Sequence, residues 1–267
     1  MSIKLVASDI DGTLVNNNKD LLPSTKQAVR EFTDRGGVFV IATGRPISGI
    51  RRYIKELELD KRGGLLISYN GSFILDTVTE KPILQNFIDT ETAKSVVEVA
   101  DKYELSIMTY RDGAAITERA RDEYFQLETR INLLDKVYID SLYDYIDSPV
   151  PKFLITGEGD KLAKYELILR DELENVNIFR SEPFFLEIVP KSVSKGASLE
   201  FIGKYLNIPK SEIMACGDGF NDISFLNASG LGVAMGNAQQ PVLDCADFVT
   251  LSNEEDGLGY AIRKFCL

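Results

Sequence analysis

Three stretches of the chain gather oxygen donors at the ends of apolar runs, and each could do chemistry. Asp9-Ile10-Asp11-Gly12-Thr13-Leu14 closes an apolar run at residues 3–7. In an extended chain, residues i and i+2 project to the same side, roughly 6.6 Å apart, so Asp9 and Asp11 leave room for a tetrahedral group between them. The same residues also suit an acidic strand-to-loop turn in which Gly12 supplies an unusual backbone angle. Thr43-Gly44-Arg45-Pro46 closes a second apolar run, residues 38–42. Pro46 fits the first turn of a helix, which would put Thr43, Gly44 and nearby N–H groups at a helix N-terminus, where anions are stabilised. A small-residue turn ahead of a Pro-started helix reads the same way. Gly217-Asp218-Gly219-Phe220-Asn221-Asp222 closes a third run, residues 213–216. As a dinucleotide loop it lacks the third glycine and would set two Asp residues against the pyrophosphate. Lys195 opens a helix, where the dipole disfavours a cation by about a few tenths of a kcal/mol unless it points at an anion.

Composition narrows what these donors can serve. The chain of 267 residues holds two domains, or one core with a large insertion. It carries 41 acidic against 30 basic residues, a formal charge of −11, which argues against a nucleic-acid surface. A phosphate-bearing small molecule can bind only where a metal ion or a few placed cations reverse the local sign. Histidine is absent, so Ser-His-Asp and Cys-His catalysis, His-liganded zinc and phosphohistidine chemistry are excluded together. Hydrolysis must rest on carboxylates, hydroxyls, Lys or an oxygen-ligated metal. The three cysteines fit neither a zinc knuckle nor a CxxC pair and read as ordinary thiols. No apolar run reaches about 18 residues and the first residues lack a signal-peptide core, so the expectation is a cytoplasmic protein without a membrane partner.

The elements that must position these residues read as alternating strands and helices. Ser24 with Gln27 predicts a capping box for a helix that Gly36-Gly37 stops, between the strands at 3–7 and 38–42. Both strands are apolar throughout, the mark of a parallel sheet covered on both faces. Residues 65–68 predict a third strand, followed by a turn at Tyr69-Asn70-Gly71-Ser72. From about residue 82 the character changes. Helix signals at 92–103 and 162–173 alternate with strand signals at 105–110, 114–117, 152–156, 176–179 and 184–189. The expected fold is α/β, a Rossmann-like parallel-sheet core with an inserted α+β domain. The core takes residues 1–81 and 190–267, and the insert 82–189.

Taken together, DIDGTL, TGR, Lys195 and GDGFND stand in order at the two ends of the chain. As a set they resemble the haloacid dehalogenase-like hydrolase superfamily, in particular its Cof-type sugar-phosphatase branch with a class IIB cap. The resemblance implies a Mg2+-dependent phosphatase acting on a small phosphorylated metabolite, a sugar phosphate, through an aspartyl-phosphate. Asp9 is the implied nucleophile, ionised at neutral pH with a reference pKa of ~3.9, and Asp11 the implied acid and base. Mg2+ would be held by Asp9, the Asp11 carbonyl and Asp218, with Asp222 binding it directly or supporting the other ligands. Thr43, Lys195 and Asn221 would hold phosphate oxygens with backbone groups at Ile10, Gly12 and Gly44; Arg45 would reach the substrate or the cap or else pair with a surface carboxylate, and Asn70 would face the substrate or else belong to a plain turn. The segment 82–189 takes the place of the cap that selects substrate. A phosphomutase of the same fold and a non-catalytic phospho-ligand-binding module are the alternatives, and the protein is expected to be a monomer or homodimer.

Overall fold

Leu5–Ser8 forms β1, buried at every position, because its side chains meet helices on one face of the sheet and neighbouring core on the other. The computed structural model describes residues 2–267. Strands β2 (Val38–Ala42), β3 (Leu65–Ser68), β4 (Phe73–Asp76) and β5 (Pro82–Gln85) follow β1. Next come β6 (Ser106–Arg111), β7 (Ala114–Thr117), β8 (Asp135–Tyr138), β9 (Phe153–Thr156), β10 (Val176–Glu182) and β11 (Phe185–Pro190). The chain ends with β12 (Ile213–Gly217), β13 (Leu231–Ala234) and β14 (Phe248–Val249). It divides into two compact units, one with the chain up to Gly44, Arg51–Leu84 and Ser194–Leu267, the other with Arg45–Ile50 and Gln85–Val193.

The first unit holds a sheet of order β14-β13-β12-β1-β2-β3-β4-β5. Pairing is parallel from β14 to β3, and β4 returns antiparallel to β3. The chain winds outward from β1 through β2 and β3, then restarts on the other side of β1 at β12. That reversal makes the β1/β12 boundary a switch point, where ligands of open α/β sheets bind beyond the carboxyl ends of the strands. The helix after β1 spans Pro23–Asp34, and it departs from the expected capping box. Its N-cap is Leu22, with no side-chain cap, because Pro23 starts the helix and presets its φ. Thr25 instead donates to Asp256 at 2.5 Å. After β2, Pro46 precedes only a three-residue 3-10 turn, Ile47–Gly49, so the helix terminus expected to face Thr43 is too short to carry a dipole.

The second unit holds a sheet of order β10-β11-β9-β6-β7-β8. It is antiparallel except for β7 beside β8. One face, with Ile107, Ile116, Phe153, Ile155, Leu186 and Ile188, packs into an apolar cluster with the helices Thr90–Lys102 and Gly159–Glu172. The sequence expectation left 118–151 without elements. That stretch forms the helix Glu123–Ile131, the exposed edge strand β8 and the helix Leu142–Tyr145. The signal was capping rather than periodicity, since Asp122 accepts from Tyr124 and Phe125 N–H, and Ser141 from Asp144 N–H.

Candidate active site

Two strand ends and one helix start meet in the first unit. Asp9 follows β1, its N–H donating to the Cys216 carbonyl of β12 at 3.0 Å. Asp218 follows β12, and Asp222 stands in the 3-10 turn Phe220–Asp222 that ends this loop. Lys195 is the first residue of the helix Lys195–Tyr205, whose N-cap Ser194 accepts from Ala197 N–H at 3.1 Å. Lys195 Nζ donates to Asp9 Oδ1 at 2.5 Å and to Asp222 Oδ1 at 2.7 Å, with only 1 % of its surface exposed. A cation at this unfavourable end of a helix is thus explained by the two carboxylates it reaches. Asp222 Oδ2 accepts from the N–H groups of Asp218 and Gly219, both at 3.0 Å, and so folds the loop back on itself. Asp9, Asp218 and Asp222 each bring one carboxylate oxygen to within 4.8 Å of the others.

The electrostatics of this group are unbalanced. Three carboxylates around one ammonium leave two negative charges without a counterion, the charge of one divalent ion. Burial pushes the Asp9 carboxyl well above the usual range, with Lys195 opposing and the charges of Asp222, Asp218 and Asp11 adding to the rise. Asp218 is pushed up to about 6, chiefly by burial, against a lowering hydrogen bond from Thr13. For Lys195 burial works against the charge, but Asp222 and Asp9 outweigh it and hold the ammonium above the ordinary lysine range. Clustered carboxylate oxygens suit a hard divalent cation, and their excess charge is what such an ion would neutralise.

Gly12 is required twice over. Its φ is +80°, and a Cβ there would sit 2.2 Å from Asp218 Oδ2. The turn around it uses the Ile10 carbonyl, which accepts from the N–H groups of Thr13, Leu14 and Val15. Asp11 points differently from Asp9. It is half-buried and ion-paired with Lys19 at 2.7 Å, and it is outside the carboxylate trio. Asn221 is half-buried in the same loop as Asp218.

Thr43, Gly44 and Asn70 form a second group, at the ends of β2 and β3. Thr43 is buried, and its carbonyl accepts from Asn70 N–H at 3.0 Å. Asn70 has φ +58°, and its side chain lies against Gly44, where a Cβ would be 2.9 Å from Asn70 Oδ1. Both ends of the Asn70 amide are buried without a hydrogen-bond partner. Such an orphaned amide costs about 1–3 kcal/mol. The helix carrying Lys195 is tied to this group through Ser198 Oγ, which donates to the Gly71 carbonyl at 3.0 Å. Arg45 belongs to the second unit.

Sequence reasoning gave no role to three neighbours of the site. Thr13 Oγ1 donates to Asp218 Oδ1 at 2.8 Å, Asn237 Nδ2 donates to the Gly12 carbonyl at 2.9 Å, and Lys19 pairs with Asp11. Thr13 and Asn237 lie in loops past the ends of β1 and β13, and neither has a local signal of its distant partner. Lys19 lies in an Asn-rich turn with nothing to mark it.

A family model described as haloacid dehalogenase-like hydrolase matches residues 6–262. A haloacid dehalogenase-like hydrolase from Bacteroides thetaiotaomicron has a solved structure that superposes with a TM-score of 0.91. The two are 37 % identical over 98 % of this chain and 99 % of that one. A protein of Bacillus subtilis strain 168, the 5-amino-6-(5-phospho-D-ribitylamino)uracil phosphatase YcsE, is 30 % identical over 100 % of this chain and 97 % of its own. The structure of BT4131, a sugar phosphatase of subclass IIB, matches with a TM-score of 0.83 and 25 % identity over 98 % of both chains.

Proposed function

This chain belongs to the haloacid dehalogenase-like hydrolases and is a phosphoric monoester hydrolase, and from that premise we propose that it is a magnesium-dependent sugar phosphatase working through an aspartyl-phosphate on Asp9. The observation that carries the reading is the buried Asp9 carboxylate, bound by Lys195 and flanked by Asp218 and Asp222. Asp9, Asp218 and Asp222, with the Asp11 carbonyl, would hold the magnesium ion, which when bound supplies positive charge to the phosphoryl oxygens. Asp222 already accepts three hydrogen bonds, so Asp9 and Asp218 are the more open donors.

An Asp9 oxygen attacks phosphorus, the bond from phosphorus to the ester oxygen breaks, and the alkoxide takes a proton from Asp11. Water then attacks the phosphorus of the aspartyl-phosphate, giving its proton to Asp11 and releasing phosphate and the Asp9 carboxylate. Asp11 is paired with Lys19 at 2.7 Å. For the first step this pair has to loosen. Lys195, Thr43, Asn221 and the backbone at Ile10, Gly12 and Gly44 bind the phosphoryl oxygens, and Asn70 offers its orphaned amide to the substrate. The segment 82–189 acts as the cap that selects the leaving group, with Arg45 contributing to it. Three unpaired thiols, Cys216, Cys245 and Cys266, fit a reducing cytoplasm, where we place the reaction. Among the described residues no helix is long and apolar enough to cross a membrane.

The test is phosphate release from p-nitrophenyl phosphate and from hexose phosphates, with Mg2+ and with EDTA. Activity should require the metal, favour the sugar esters, and fall by at least about 10³-fold in Asp9→Asn. Turnover of Asp9→Asn equal to wild type would remove the nucleophile, and the mechanism with it.

A further inference from the structure

The loop at residues 235–239, which follows β13, is bonded to the ends of both strands that carry the site. Its backbone holds the β12 end, where Met235 N–H donates to the Gly217 carbonyl at 3.0 Å and Gln239 N–H to the Asp218 carbonyl at 3.1 Å. A side chain holds the β1 end, where Asn237 Nδ2 donates to the Gly12 carbonyl at 2.9 Å. The loop is itself anchored from behind. Gly236 N–H donates to the Leu251 carbonyl at 3.0 Å, and a Cβ at Gly236 would be 2.9 Å from the Ser252 nitrogen. Asn253 N–H donates to Asn237 Oδ1 at 2.9 Å. Asn253 is buried, and its own Nδ2 donates to the Val15 carbonyl at 3.0 Å, further along the turn that contains Gly12.

The chemistry of an amide explains why asparagine stands at 237. One end donates and the other accepts, and each end has the partner it needs. Aspartate would keep the bond from Asn253 N–H but would set an oxygen against the Gly12 carbonyl. Gly12 is also the residue of its turn that most needs an outside restraint. At φ +80° and without a Cβ it rotates more freely than its neighbours, so the peptide planes beside it, including the one with the Asp11 carbonyl, depend on the bonds they make. Thr13 Oγ1, on the next residue, donates to Asp218 Oδ1 at 2.8 Å. A rotation at Gly12 therefore moves a partner of the Asp218 carboxylate as well. Stability gives little reason for the Asn237 contact. The side chain is exposed, and a neutral hydrogen bond contributes only about 0.5–1.5 kcal/mol net. What the bond does fix is the placement of one site loop against the other.

We propose that Asn237 is a positioning residue for the divalent cation. From a loop that already grips Gly217 and Asp218, it clamps the Gly12 peptide and so keeps the Asp11 carbonyl and the Asp218 carboxylate in place for one ion. Asn237 acts on that ion only through Gly12 and Asp218. The inference rests on the metal-dependent phosphatase reading and adds to it a residue outside the sequence stretches that carry the donors.

The experiment measures Mg2+ binding by calorimetry, without substrate, in wild type, Asn237→Ala and Asn237→Asp. Phosphate release from p-nitrophenyl phosphate and thermal melting in EDTA are followed alongside. In Asn237→Ala the Kd for Mg2+ should rise about 10- to 100-fold, as it does when groups that orient metal ligands from outside are removed. The melting temperature in EDTA should fall by no more than about 5 °C, the share of a single exposed hydrogen bond. Asn237→Asp should also weaken Mg2+ binding, although its added negative charge by itself attracts a cation. A Kd equal to wild type in Asn237→Ala overturns the proposal, and so does equal or tighter binding in Asn237→Asp, which would put charge ahead of geometry. A larger drop in melting temperature would make the residue a general support of the fold and overturn it too. Wild type that binds no Mg2+ and releases phosphate equally well in EDTA would overturn the metal reading instead.

Discussion

Replacing Lys195 with Met keeps most of the stem and removes the ammonium that bridges Asp9 and Asp222. Each contact, at 2.5 and 2.7 Å, is a gross attraction of roughly 6 kcal/mol at an effective dielectric constant of ~20. Most of it offsets the desolvation of the ions, and breaking a buried pair from one side has a net cost of about 3–5 kcal/mol. Asp222 keeps two backbone N–H donors, so the loss falls mainly on Asp9 and the two contacts do not double it. In EDTA at pH 8, urea unfolding of Lys195→Met should therefore show a deficit of about 3–5 kcal/mol against wild type, or roughly 10 °C in Tm for a chain of this size. The deficit should depend on pH. Asp9 already titrates above the usual range, and without the lysine it rises further. A group with a raised folded-state pKa contributes stability that is complete below its unfolded value and is lost as pH climbs through the folded one. Lowering the pH from 8 towards 5 should accordingly narrow the gap, as the variant protonates Asp9 within its fold. Equal stability at pH 8, or a gap that stays constant with pH, would show that the two carboxylates do not depend on Lys195 for their charge, and would refute the electrostatic account of the site.

Other consequences can be checked separately. Because the Asp218 carboxyl is pushed up to about 6, protons should compete with the cation. The Mg2+ affinity measured from activity should weaken towards about tenfold per pH unit below that value and level off above it; a flat profile from pH 5 to 8 contradicts the assignment of Asp218 to the ion. In Gly12→Ala the new methyl would meet Asp218 and the φ of +80° would be strained, so about 1–3 kcal/mol of stability and about 10²-fold in kcat should go together. Wild-type kinetics in that variant would mean that Asp218 can move without consequence. Asn70→Gly keeps the positive φ and deletes the orphaned amide. Its Tm should change by no more than a few degrees while KM for the phosphate ester rises, and an unaltered KM would leave the amide without a role.

The site was legible where side-chain identity and strand ends coincide. Thr43 and Asp218 directly follow apolar strands and Asp9 follows one broken only by Ser8 at its end, and Lys195 was conspicuous because it opposes the dipole of its own helix. The parallel core was legible for a related reason: β1 and β2 are apolar at both alternations, which only a sheet covered on both faces requires. Other features were hidden because the deciding partner is distant in sequence. Nothing near Thr13 announces Asp218, 205 positions away, and nothing near Ser24 shows that Pro23 would start the helix without a capping box. The stretch 118–151 was opaque since β8 is exposed at all four positions, leaving no alternation for a core to impose.

The six residues Arg45–Ile50 leave the first unit's chain segment, join the second unit and return. A fragment cut at Gln85 and Val193 would look like a whole domain by length and yet lack the piece that lies on Asn132. Grafting that fragment between relatives would leave Asn132 without the backbone packed against it, so the grafted unit should keep its stability only when the hexapeptide travels with it.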